Sequence, residues 1–203
     1  GPIGDSALLV DDGVERLLNL NDSRPIYPDR LLVQGAIDIC LLQFSGAIWY
    51  PMVYEMPDRA KEALAKKKRT AQFARAARYV EIISPRVAIP SAGPPCFLDE
   101  ELFRWNDVDN AADSIFPDQR WMVDYLMSAG QAAALMLPGS IGSFDQSGRF
   151  VVEHLEGDLS VQRVFADKEA YLRTYAADVA PRIAAEKTSW LGPRVDLLAE
   201  IKG

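Results

Sequence analysis

The sequence predicts an α/β fold with a partly parallel sheet, followed by a mainly helical C-terminal appendage. Three observations carry this. Two apolar runs, at residues 14–20 and at 38–44 ("DICLLQF"), flank a short helix signal at the spacing of a parallel βαβ unit. The longest helical pattern, residues 56–82, leads into a third apolar run, "RVAIP" at 86–90. Near Ser140 the composition changes, which divides the chain into 1–139 and an appendage, 140–203, made of a hairpin plus helices.

The elements follow in order. Residues 6–10 and 14–20 flank Asp11-Asp12-Gly13, a hairpin signal in which Gly supplies positive φ. Pro28–Gln34 reads as a short helix closed by Gly35. Asp38–Phe44 is continuous enough to be buried on both faces. The helix over 56–82 has Pro57 in its first turn and Leu64, Ala71, Phe73, Ala74 and Ala77 on one broad apolar side. Residues 99–103 form a helical turn, 117–127 a helix and 133–137 a strand, and a hairpin turns at Ser147-Gly148. A helix over 168–187 must accommodate Pro181, and a last helix is expected at 194–201.

At 203 residues and 49% hydrophobic, the chain can bury a sizeable core. A net charge of -7 argues against a nucleic-acid surface. No apolar run has the length of a membrane span and no signal peptide opens the chain, so the cytoplasm is expected. Cys40 and Cys96 read as two buried thiols of a reducing compartment, with a disulfide as the alternative. The start at Gly1-Pro2, without Met, predicts a piece of something longer.

One residue stands out for chemistry. The run "LLNLND" is a strand that stops on a carboxylate, Asp22, before the turn Ser23-Arg24-Pro25. Asp favours turns by bonding its own backbone. The carboxyl end of a central strand is also where α/β enzymes hold ligands and metals. The basic run Lys66-Lys67-Lys68-Arg69 is expected to be a solvated face. His154, the single histidine, is expected to be surface or packing.

The ordered set "GDSALLV", "LLNLND", "LLQFSGAIWYPMVY" and "VAIPSAGPPCFLD", over residues 4–102, resembles the second half of a metallo-β-lactamase-like αβ/βα sandwich. The branch it resembles accompanies a Rieske iron–sulfur domain and includes CMP-N-acetylneuraminate hydroxylase and the bacterial UDP-N-acetylmuramate hydroxylase. The resemblance implies a Rieske-type iron monooxygenase that converts the N-acetyl group of a nucleotide sugar to N-glycolyl. It implies that Asp22 is a metal ligand. It places the superfamily's HxHxDH cluster before Gly1, and a later histidine is replaced here by Ser91-Ala92-Gly93. A dizinc hydrolytic site is therefore incomplete, which favours a mononuclear iron shared with a missing N-terminal part.

A Rieske centre takes two Cys and two His, so its 2Fe-2S cluster is expected in a missing domain, not in this chain. Ser45, Trp49 and Tyr50 of "FSGAIWYP", with Ser91 and the Gly93-Pro94-Pro95 loop, are the expected substrate wall. An aromatic seam under the long helix is the competing expectation for the same residues. The expected partners are the missing N-terminal half or a second copy, covering the apolar face of the sheet, together with a nucleotide-sugar substrate and an electron donor. A fragment of a metal-dependent hydrolase, or a non-catalytic binding module of the same fold, are the alternatives.

Overall fold

The structure is a computed structural model that describes residues 6–189, apart from 47, 94–95, 107–113 and 156. It is mixed α/β. Four strands, β1 (Leu8–Asp11), β2 (Arg16–Leu20), β3 (Ile39–Gln43) and β4 (Val87–Ser91), form one sheet in the order β1-β2-β3-β4. β1 pairs antiparallel with β2 through the expected hairpin, and β2, β3 and β4 run parallel. A 3-10 helix, Pro28–Gln34, makes the first crossover and ends where the Gly35 N–H donates to the Leu32 carbonyl. Gly35 has φ 112, a backbone conformation that glycine adopts freely and a residue with a Cβ does not.

Helix α1 (Asp58–Ile83) makes the second crossover. Pro57 is its N-terminal cap rather than a residue of its first turn. Its buried stripe is Ala65, Gln72, Phe73, Ala76, Val80 and Ile83, at helical spacing. Ala71 and Ala74, expected on the apolar side, are exposed. Small side chains fit either face, so alanines do not locate a stripe. The later part of the stripe, Phe73, Ala76, Val80 and Ile83, packs on Leu18, Leu20, Cys40, Leu42 and Ala88 of the sheet, with Met122 and Leu126 of α2 (Gln119–Ser128). Each large side chain sealed there contributes about 2 kcal/mol of burial.

The opposite face is less covered. Val10, Leu17 and Ile39 lie side by side across three strands, yet Val10 is 50% exposed and the other two are only partly covered. β3 is therefore fully buried on one face only, contrary to its continuous apolar sequence. Residues 133–137 form a single bridge, Ala133 to Ala88, rather than a strand. The second hairpin joins β5 (Ile141–Phe144) and β6 (Phe150–Glu153). Arg86 holds it by stacking 3.6 Å from the Phe144 ring centroid while bonding Asp38 and the Gly148 carbonyl.

Two compact units are present, Gly1–Gln162 and Arg163–Gly203. The contact division falls after the β5–β6 hairpin. Helix α3 (Asp158–Ala166) runs into the second unit, and α4 (Lys168–Ser189) continues through Pro181. Asp167 caps α4 by accepting from the Ala170 N–H. The helix expected at 194–201 lies outside the described residues. No described helix is long and apolar enough to cross a membrane.

Candidate functional site at the carboxyl edge of the sheet

Three parallel strands end on one edge, and the residues that follow them meet there. Asn21 and Asp22 leave β2, and Asp22 takes φ 62, a left-handed conformation that Asp tolerates better than most residues. Ala92 leaves β4 at φ 53, where a Cβ costs about 1–2 kcal/mol. Both sharp exits thus flank the same edge. Ser91 Oγ donates to Asn21 Oδ1 at 2.9 Å, and Gln43 Nε2 donates to Asp22 Oδ1 at 3.0 Å. Ser45, 3% exposed, buries its hydroxyl with no partner among the described residues. A Cβ on Gly93 would come within 3.1 Å of Ser45 Cβ, so the exits of β3 and β4 touch.

Asp22, Ser45 and Ser91, picked out from the sequence, therefore share one edge. Asp22 itself is exposed. Trp49 stands apart. It is half-buried, and its ring lies 5.2 Å from those of Phe97 and Phe116 and edge-on to Trp105 at 5.7 Å. This is the aromatic seam, packed on Ala65 of α1. Tyr50 is 40% exposed and meets Tyr54 edge-on.

The basic run divides. Lys66 and Lys67 are solvated as expected, but Lys68 and Arg69 turn inward. Lys68 Nζ donates to the carbonyls of Ile48 and Tyr50, and Arg69 to that of Ser114. Burial lowers the Lys68 ammonium below its usual value. Lys61 adds a bond to the Met52 carbonyl. Cations capping loop carbonyls leave no mark in sequence periodicity, and for that reason the run reads as solvated. Asn21, Gln43 and the α1 residue Gln72 were likewise missed, because amides carry no spacing signal.

A metal or cluster needs more than this edge holds. Among the described residues no three His, Cys, Asp or Glu side chains group closely enough to bind an ion. Cys40 is sealed in the core, its thiol pushed up to about 12 by burial, and is thus held protonated. Cys96, expected to be buried, is exposed. The two are not joined in a disulfide. His154 Nδ1 lies 2.8 Å from Ser140 Oγ on the second hairpin. With one imidazole and a sealed thiol, the residues present do not fit a Rieske cluster.

Over 193 residues, 94% of its length, the chain is 45% identical to proteins of Mycobacterium tuberculosis (strains H37Rv and CDC 1551 / Oshkosh) and of Mycolicibacterium smegmatis (strain mc(2)155). These relatives are provisionally named Rieske 2Fe-2S iron–sulfur proteins. The chain spans 37% of their length. No family model matches the chain, and no solved structure matches it.

Proposed function

We propose that this chain is the C-terminal catalytic-domain portion of a Rieske-type iron monooxygenase acting on the N-acetyl group of a nucleotide sugar in the cytoplasm. The observation that carries it is the meeting of Asp22, Ser45 and Ser91 at the carboxyl edge of three parallel strands, in a chain related to proteins named for a Rieske cluster. That edge is where α/β sheets hold ligands. Relatives of greater length leave room elsewhere for the cluster ligands, and for the histidines that an iron would need beside Asp22.

This chain's contribution is positioning. Asp22 supplies a carboxylate already oriented by the Gln43 amide, and Ser91 and Ser45 supply hydroxyls beside it. Tyr50 offers an exposed ring for a sugar or base. The half-covered sheet face bearing Val10, Leu17 and Ile39 suits a further layer from the rest of a longer protein, as the metallo-β-lactamase-like sandwich has, or from a second copy.

Asp22→Ala in the longer protein is the test. Turnover should vanish and iron content fall, while the melting temperature stays within a few degrees, since an exposed turn Asp contributes about 1 kcal/mol or less. Unchanged turnover and iron content would reduce Asp22 to a turn residue.

A further inference from the structure

We propose that the exposed face shared by the end of α3 and the first half of α4 pairs with the same face of a second copy of this chain, the two running antiparallel about a twofold axis. Over residues 163–178, the side chains lining an open groove of about 500 Å³ recur every three or four positions, which sets them on one helical face. All of them lie within the second compact unit. Tyr171 and Tyr175 dominate the groove, at 45% and 44% exposure. Two half-exposed rings on one face, with alanines beside them, offer contact area at small entropic cost to a partner.

The order of these residues names the occupant. A twofold axis passing between Ala170 and Tyr171 sets every lining residue against another of the same set. Arg163 of one copy meets Asp178 of the other, and Ala166 meets Tyr175. Nearer the axis, Ala170 meets Tyr171 and Asp167 meets Thr174. Large thus faces small, and a cation faces an anion at each end, all in one register. Asp167 and Thr174 are already oriented by their own helix, Asp167 Oδ1 accepting from the Ala170 N–H and Thr174 Oγ1 donating to the Ala170 carbonyl. A parallel pairing would instead set Arg163 on Arg163 and Asp178 on Asp178, like on like. In a chain of net charge -7 two copies repel, so contact needs a face whose own charges cancel across it. The inference does not rest on the redox reading.

The test is sedimentation equilibrium of the full 203-residue chain up to about 1 mM. Eight residues a side are few against the roughly 20–30 of a standard interface. A reversible dimer at twice 22.5 kDa is therefore expected, with Kd on the order of 100 µM. Tyr171→Ala should weaken it about tenfold. Ala170→Glu should abolish it with helicity by circular dichroism retained, because a glutamate three residues after the Asp167 cap suits a helix start. Charge exchange reads the register. Arg163→Glu and Asp178→Arg should each weaken association about fivefold, and the double variant should return it to within about twofold of wild type. Lys66→Glu, the same charge change on the exposed side of α1, should leave it unchanged. A chain that stays monomeric to about 1 mM would leave the groove to a segment of a different protein and overturn the proposal. So would a dimer that survives Ala170→Glu, equal weakening by Lys66→Glu, or a double variant no tighter than the single ones.

Discussion

Beyond the carboxyl edge, the exits of β2 and β4 are joined by a hydrogen bond between two half-exposed polar side chains, Ser91 and Asn21. The segment after β3 is clamped instead by lysine-to-carbonyl bonds from α1 and by a cluster of aromatic rings. Both leave the same edge of the same sheet. The first pair keeps polar atoms available and stores backbone strain at Ala92; the second partly removes Trp49 from solvent. Chemistry is easier to place on the first, rigidity on the second.

The sharpest way to break this comparison is Trp49→Ala. If the ring is packing, the loss should be about 3 kcal/mol in urea unfolding, with native structure retained. A loss under about 1 kcal/mol would return Trp49 to the ligand wall.

Alkaline unfolding probes the core beneath both exits. Cys40 has its folded pKa raised from 9.0 to about 12, so its contribution is complete below pH 9 and is lost as pH rises toward 12, where only the unfolded thiol ionises readily. Stability of Cys40→Ala should fall less steeply over that window in pH-dependent denaturation.

Lys68→Met, which keeps the stem and deletes the two carbonyl contacts, should cost about 1 kcal/mol. Hydrogen exchange should quicken at residues 48–54 and stay unchanged at 21–23. Smallest, and opposite in sign, is Ala92→Gly, expected to raise stability by about 0.5–1 kcal/mol by relieving the left-handed strain. A decrease in calorimetry would mean that the strain is not there.

These effects separate what the sequence discloses from what it hides. The strands, the first hairpin and the Gly35 stop were legible because each rests on neighbours in sequence: an apolar period, Asp-Gly at a turn, a glycine after a helix. The positions of Asp22 and Ser91, just past and at strand ends, were legible for the same reason. Trp49 was ambiguous, since the partners that decide it, Phe97, Trp105 and Phe116, are about fifty or more residues away. Lys68 was hidden by the helix itself, whose polar positions look alike until the loops over them are known. Cys96 and the lone bridge at Ala133 were misjudged because apolar neighbours in sequence need not become neighbours in space.

The outer side of β4 carries one more consequence. Ala88 spends both its outward backbone groups on Ala132 and Ala134, Pro90 has no N–H to offer, and the Pro90 carbonyl is taken by Gln119. That rim has no ladder of donors and acceptors left for another strand to read. Edge-to-edge aggregation and strand exchange are thereby blocked on this side. Any chain that lengthens the sheet has to dock along β1.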